Sequence, residues 1–568
     1  MKKKVIPAII IIALIFIIGG VYGLQLYREH YSYSSEKADL NSYFDITSDN
    51  DVAIILGNER IEERARLFDG YYYMDFSSVQ KYLNSRFYYG TEDNTLLYTT
   101  PNRIITAEIG SSSWTDTQGG SGDEAYQIAR IEGETLYVAL EYVKKYTNFD
   151  YQGFTEPNHM QLTTDFGEQT FATIKKDTDL RLRGGVKSEV LESLKKGDKV
   201  VILEQLENWS KVKTSDSFIG YVENKRLTDI TTMSLVPAEG ADIEEYTSIK
   251  RDHTMNVGFH MIGGAGGNDT LLDVISGTKS LNVVAPTWLS VSDNDGNLRS
   301  FCSSSYVKTA HDKGLEVWAV LDNFNASKEI STTEVLSHAS TRANMIKQAV
   351  DEALSCGADG INLDFELVAT EAGQSFIEFV RELSIACRAN GLVFSVDNYV
   401  PMNFNNHYNI KEQGVVADYV IIMGYDEHYA GSDEAGSVAS LGYVENGIIN
   451  TVEDVDPSKV INAVPFYTRI WETKPDGTVS SQAVSMPDAA AYVQNHGISL
   501  TWDAEAGQYY GEYTKDDGTL VQIWLEDAES IQQKITSMQL HGIAGIAEWR
   551  LGMETSDIWD VIAAYVEG

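Results

Sequence analysis

From residue 255 to residue 568 the sequence alternates short β-rich runs with stretches of helical periodicity, and it does so eight times. No other feature narrows the fold as much, because repeated βα units over a stretch of this size close into a parallel barrel. The runs are residues 256–259, 282–285, 316–320, 360–366, 393–396, 419–425, 461–464 and 545–549. Between the seventh and eighth lie residues 468–526, too long for an ordinary connection, and they are read as an inserted α+β subdomain walling one side of a cleft. The fold class expected for residues 251–568 is therefore α/β, a TIM (β/α)8 barrel with an α+β insertion.

The fourth run carries the sharpest chemical signal, Asp359-Gly360-Ile361-Asn362-Leu363-Asp364-Phe365-Glu366. Side chains alternate along a strand, so Asn362, Asp364 and Glu366 share one face while Ile361, Leu363 and Phe365 share the other. In a parallel barrel the apolar set faces the helices. The polar set then rises through the interior, with Glu366 nearest the C-terminal mouth, where this fold builds its active sites. Polar groups in a core are costly unless they bond one another, so this pattern points to catalysis rather than to an ordinary strand.

These residues resemble glycoside hydrolase family 18, the chitinases and N-acetylglucosaminidases, whose motif is D-G-x-x-x-D-x-E with an aspartate usual at the position of Asn362. Met423-Gly424-Tyr425-Asp426 is similar to the family's M-x-Y-D strand end, Pro465-Phe466-Tyr467 follows the seventh strand, and Trp549 closes the eighth. Ala285-Pro286-Thr287-Trp288 and Trp502-Asp503 look more like bacterial wall-acting and spore-cortex-lytic members than secreted chitinases. The resemblance implies substrate-assisted retaining catalysis, an exception to the two-carboxylate scheme. Glu366 would protonate the glycosidic oxygen while the substrate's 2-acetamido carbonyl attacks the anomeric carbon. Asp364 would orient the acetamido N–H, and Tyr425 would hydrogen-bond its oxygen. Asn362, Met423, Asp426, Tyr467 and Trp549 are the expected substrate-binding residues, Trp549 as the floor under the sugar. An anionic Asp364 is expected to raise the pKa of Glu366 by like-charge repulsion. Asn362 cannot share a proton as an aspartate would, so an altered pH dependence is expected. Tyr399, Tyr429, Trp471 and Trp524 are further cleft candidates. His428 has no partner at i+4, and neither a metal nor a cofactor is expected.

At the other end of the chain, Lys2-Lys3-Lys4 precedes an uncharged run from Val5 to Leu26, long enough to cross a bilayer as a helix. Residues 1–27 are read as a transmembrane anchor with the N-terminus in the cytoplasm, which places the rest outside the cell. Residues 28–50 are read as a polar spacer. Within 51–166, the segment 72–82 recurs as 136–146, and Tyr98-Thr99-Thr100 meets Leu162-Thr163-Thr164 at the same offset. Each copy reads as a strand, a short helix and a closing hairpin, with Asp93-Asn94 as the turn of the first. This α+β repeat resembles the copper-amine-oxidase N-terminal-like domain, which is non-catalytic. Residues 171–227 read as five short strands with glycine turns and resemble the bacterial SH3-like domain, a small β-barrel, in Leu180-Arg181-Leu182-Arg183-Gly184, Trp209-Ser210-Lys211-Val212 and Gly220-Tyr221-Val222. Residues 228–250, with Pro237-Ala238-Glu239-Gly240, are read as a linker.

With 44 Lys plus Arg against 83 Asp plus Glu, the formal charge of −39 excludes a nucleic-acid partner, which needs a basic footprint. Three cysteines, Cys302, Cys356 and Cys387, are too few for a disulfide scaffold and lack zinc-site spacing. The expected partner is an N-acetylated glycan polymer, peptidoglycan or chitin-like, with membrane contact through the N-terminal helix alone. The competing expectations are a chitinase acting on chitin oligomers and a catalytically inactive, lectin-like member of the same family.

Overall fold

A computed structural model describes residues 5–237, 241, 243–324 and 329–568. Lys2, Lys3 and Lys4 of the anchor motif and Ala238, Glu239 and Gly240 of the linker motif lie outside the described residues. The chain divides into two compact units: one comprises Met1–Phe87, Ala107–Trp114 and Gly122–Ile243, the other Tyr88–Thr106, Thr115–Ser121 and Glu244–Gly568.

The first unit begins with a helix, Val5–Tyr31, whose stretch Ile9–Tyr31 has a mean hydropathy of 2.5 and is long and apolar enough to cross a membrane. Its apolar side chains are exposed on every side, Phe16 at 78%. The segment read as a spacer is only partly one. Asp39 caps a short helix, Leu40–Phe44, by accepting the N–H groups of Asn41 and Ser42, and Phe44 is buried against the His159 ring at 4.2 Å. That apolar side chain makes residues 38–46 part of a core, not a free tether.

The opening strands of the two repeat copies lie side by side in one seven-stranded sheet, which also holds the second copy's hairpin, Asp150–Phe154 and His159–Thr163, whereas the first copy's hairpin, Phe87–Gly90 and Thr95–Thr99, lies in a separate five-stranded sheet. Strands Tyr71–Asp75 and Thr135–Ala139 pair antiparallel with Met74 opposite Val138, its own counterpart in the repeat, so these two strands are related by a local two-fold axis. Asp75 caps the first copy's helix, Phe76–Tyr82, by accepting the Ser78 N–H at 2.9 Å. Ala139 offers no such acceptor, and the second helix, Leu140–Val143, is correspondingly short.

The SH3-like part is a seven-stranded sheet rather than the expected five. Strand Glu168–Ile174 starts before residue 171, and Leu227–Ser234 continues past residue 227 to pair with it. The first residues of the expected linker are thus strand, held by ladder hydrogen bonds that composition does not reveal.

The second unit is the barrel. Its strands are β1 (Met255–His260), β2 (Val283–Val291), β3 (Glu316–Asp322), β4 (Gly360–Asp364), β5 (Val393–Tyr399), β6 (Tyr419–Met423), β7 (Val460–Pro465) and β8 (Gly545–Trp549). All neighbours are parallel, and β1 closes the ring by pairing with both β2 and β8. Strand periodicity divides the core in two. Val257, Phe259, Trp318, Val320 and Ile421 fill the interior, while Ile361, Leu363 and Phe365 join the layer beneath the helices. Gly360 is required at the foot of β4, because a Cβ there would stand 2.9 Å from the Trp318 ring and 2.7 Å from the Val393 carbonyl. Both β4 and β6 end two residues earlier than expected, which leaves Glu366 and Tyr425 just beyond the ladder at the mouth.

Between β7 and β8 the insertion forms a five-stranded antiparallel sheet, in the order Val479–Ser485, Tyr467–Thr473, Leu520–Leu525, Gln508–Thr514 and Leu500–Asp503. One helix, Met486–His496, packs on it through Ala489 and Val493. At its base the buried Glu526 accepts from Lys534 at 2.7 and 2.8 Å and from Gln508 at 2.6 Å. Residues 88–106, with most of the first repeat copy's hairpin, and residues 115–121 group with the barrel and not with the rest of 51–166. There Tyr88 hydrogen-bonds Ser375 at 2.9 Å, Thr99 donates to the buried Glu378, and Arg388 donates to the Pro101 carbonyl at 2.8 Å. Arg342 is fully buried in a bidentate pair with Glu382, at 3.0 and 2.9 Å.

Candidate active site

On β4, Asn362 and Asp364 point inward, as the alternation requires. The Asn362 amide donates to Ser395 Oγ at 3.0 Å and to Asp397 Oδ1 at 2.8 Å, both on β5. Asn362 Oδ1 and Asp364 Oδ1 are buried and have no hydrogen-bond partner among the described residues. Asp364 stands in register with Asp322 at the end of β3. Asn323, one residue further, clamps the backbone of Glu366: its Oδ1 accepts the Glu366 N–H at 3.0 Å and its Nδ2 donates to the Glu366 carbonyl at 2.8 Å. Two bonds from one side chain set the direction in which Glu366 leaves the strand. Its carboxylate is then held by the Tyr399 hydroxyl, which donates to Oε2 at 2.7 Å.

Four carboxyl groups in so small a volume cannot all ionise. Burial pushes Asp364 well above the usual carboxylate range, and Asp397, Glu366 and Asp322 push it further. Asp322 rises to about 6, chiefly through burial. Asp397 is also raised, by burial first and then by Glu366, while the bond from Asn362 opposes the shift. Glu366 is raised as well, and chiefly by burial. The Tyr399 hydrogen bond opposes the shift and Asp426 adds repulsion, while the repulsion between Glu366 and Asp364 falls on Asp364, the more deeply buried of the two.

The other expected residues close round the same mouth. Tyr425 and Trp549 pack against the inner cluster, and Trp549 lies 5.8 Å from the Phe259 ring, partly exposed. The Tyr425 phenol is held far above its ordinary range by burial and then by Asp364, Asp397, Tyr467 and Glu366. Asp426 is exposed, with φ of 58°, and accepts the hydroxyl of Tyr467, whose strand opens the insertion. Met423 is buried, in register with Tyr399 on one side and Ala463 on the other.

Of the further cleft candidates, only Tyr399 touches the carboxyl cluster. Trp471 is buried beside the His428 ring at 6.5 Å, Trp524 hydrogen-bonds Asp503 within the insertion at 3.4 Å, and Tyr429 is exposed. His428 donates to the Ser437 carbonyl at 2.8 Å, and among the described residues no group of His, Cys, Asp or Glu is arranged to hold a metal. Asp322, Asn323, Ser395 and Asp397 are functional-site residues that sequence reasoning missed. The signal for the β5 pair was present, since Ser395 and Asp397 alternate with Val396 as Asn362 and Asp364 alternate with Leu363.

An acid aimed at the mouth, a buried carboxyl beside it and a phenol opposite can protonate a leaving group and stabilise a developing cation. Comparison with known proteins gives two family matches. The model of the glycosyl hydrolases family 18 matches residues 218–554, and that of the bacterial SH3 domain matches residues 176–228. A cortical fragment-lytic enzyme of Bacillus anthracis is 25% identical over 250 residues, which cover 43% of this chain and 57% of that protein. The chain spans about half the length of the first curated relatives it matches. Among solved structures, the spore cortex-lytic enzyme of Bacillus cereus superposes with a TM-score of 0.50 at 21% identity, over 58% of this chain and 78% of that one. A chitinase of Chromobacterium violaceum gives 0.50 at 22% identity, over 56% and 99%. At these identities the superpositions speak to the fold.

Proposed function

This chain belongs to the glycosyl hydrolases of family 18, and on that premise we propose that it is a membrane-anchored extracellular N-acetylglucosaminidase that cleaves β-1,4 bonds in peptidoglycan glycan strands. The observation that carries the proposal is the placement of Glu366 at the barrel mouth, its backbone clamped by Asn323 and its carboxyl held by Tyr399, directly above the buried Asp364.

Glu366 is the proton donor. Burial and the charge of Asp426 keep it protonated above the ordinary carboxylate range, as an acid must be at the working pH. The second group attacking the sugar is the substrate's own 2-acetamido oxygen, as membership of family 18 implies. As the glycosidic bond breaks, that oxygen bonds the anomeric carbon, and the leaving alcohol takes the Glu366 proton. Asp364 accepts the acetamido N–H and offsets the positive charge of the oxazolinium ion, and the Tyr425 hydroxyl donates to the acetamido oxygen. Water, deprotonated by the Glu366 carboxylate, then opens the ring with retention. Trp549 supports the sugar by stacking, and Asp426 and Tyr467 bind its hydroxyls.

The substrate follows from the company the barrel keeps. The relatives include cortex-lytic enzymes, and an apolar N-terminal helix behind an SH3-like domain suits an enzyme tethered to act on the adjacent wall. The lysines at 2–4 favour a cytoplasmic N-terminus. Separate digestion of purified peptidoglycan and of chitin oligomers, with new reducing ends identified by mass spectrometry, tests the reading. New N-acetylglucosamine ends from peptidoglycan are expected. Cleavage of chitin alone would replace the substrate, and binding without cleavage would replace the activity.

A further inference from the structure

The Asn362 amide uses both of its N–H groups on β5, one on Ser395 Oγ at 3.0 Å and one on Asp397 Oδ1 at 2.8 Å. That fixes the amide's orientation and leaves Asn362 Oδ1 buried with no donor among the described residues. Two residues on, on the same face of the strand, Asp364 Oδ1 is buried with no donor either. Asp397 Oδ1 is therefore served by a hydrogen bond, and Asp364 Oδ1 has none among the described residues.

We propose that Asp397 is a positioning residue that shares a single negative charge with Asp364 across the Asn362 amide, and so governs when Asp364 ionises. The inference rests on the catalytic reading above and deepens it. In the empty site the charge sits on Asp397, where the amide N–H stabilises it, and the proton sits on Asp364, where it gives the orphaned Asn362 Oδ1 a donor. An acetamido N–H and a forming oxazolinium ion beside Asp364 reverse the preference, and the proton is then held by Asp397. One proton and one negative charge are present in both states. The titratable groups around Asp397 are Asp364 and Glu366 beyond it on β4, Asp322 on β3, Tyr399 on β5 and Tyr425 after β6; Glu366 pushes Asp397 upward, and Asp397 in turn pushes Asp364 upward. Glu366 itself answers to burial, to the Tyr399 hydrogen bond that opposes it and to Asp426.

The experiment uses the full-length chain in detergent and a fluorogenic N-acetylchitooligosaccharide, with kcat and KM measured from about pH 4 to about pH 9. Three variants are compared with the parent: Asp397→Asn, the exchange Asn362→Asp with Asp397→Asn, and Glu366→Gln. Removing the Asp397 charge lowers the pKa of Asp364, so the acid limb of kcat moves to lower pH by about one unit and the plateau falls about tenfold, with KM within about twofold. The exchange, which returns one carboxyl and one amide to the pair, brings limb and plateau back toward the parent. An unmoved limb in a folded Asp397→Asn variant overturns the proposal, as does a moved limb that the exchange fails to restore. If Asp397→Asn does not fold, by its melting temperature, the exchange decides alone: a parental limb supports the proposal and a displaced one overturns it. Parental turnover by Glu366→Gln would instead remove the catalytic reading itself, whatever the other two show.

Discussion

Tyr399 donates its hydroxyl to Glu366 Oε2 at 2.7 Å, joining the last residue of β5 to the segment that leaves the adjacent strand β4. The bond favours the ionised carboxylate and therefore opposes the burial that keeps Glu366 protonated. Tyr399→Phe removes that opposition, so the Glu366 pKa rises. Because the protonated form is the active one, the alkaline limb of the pH–rate profile is expected to move up by about one unit. A profile recorded on a fluorogenic N-acetylchitooligosaccharide checks this; a limb that moves down would mean that the bond serves the neutral acid.

Glu366→Gln keeps the shape of the side chain and its Tyr399 partner but has no proton to give. Turnover is expected to fall by about 10³-fold or more with binding of N-acetylated oligomers preserved. Calorimetric titration beside the activity assay separates the two effects.

Tyr425→Phe removes the hydroxyl proposed to hold the acetamido oxygen while keeping the ring that packs with Trp549 on the inner cluster. The loss is expected mainly in kcat, by about 10²-fold, because the acetamido oxygen is held most tightly as it attacks. Steady-state kinetics with an unchanged melting temperature would locate the defect in the chemistry.

Why the barrel is legible in the sequence, and parts of the site are not, follows from how each is encoded. Each barrel strand buries a local apolar run, so periodicity marks all eight, and β4 carries its polar face in the open as Asn362, Asp364 and Glu366. Pairing across strands is not local. That Asp397 would meet Asn362, or that Asn323 would clamp Glu366, depends on the register of β4 against its two neighbours, which no single run contains. The same limit explains the first repeat hairpin. Tyr98-Thr99-Thr100 matches Leu162-Thr163-Thr164 of the second copy, yet residues 88–106 group with the barrel through Tyr88, Thr99 and Pro101. Phe44 was hidden differently, as one apolar residue in a polar segment whose burial depends on a distant His159.

Arg342 and Glu382 join two helices of the barrel's outer layer, Ala339–Cys356 and Gly373–Ala389, with no water access to the guanidinium. Arg342→Met leaves Glu382 buried without its counter-charge and is expected to cost about 3–5 kcal/mol. Thermal unfolding should show the barrel's transition lowered by several degrees, and Arg342→Met combined with Glu382→Leu should recover much of the loss.

The central claim is that the sugar's own acetamido group completes the catalytic apparatus above Asp364 and Glu366. Its most direct test is hydrolysis of one oligosaccharide in two forms, fully N-acetylated and fully de-N-acetylated, by the same full-length preparation. Cleavage of the acetylated form with retention, and at least about 10³-fold slower cleavage of the other, is the predicted result. Comparable rates on both would contradict it.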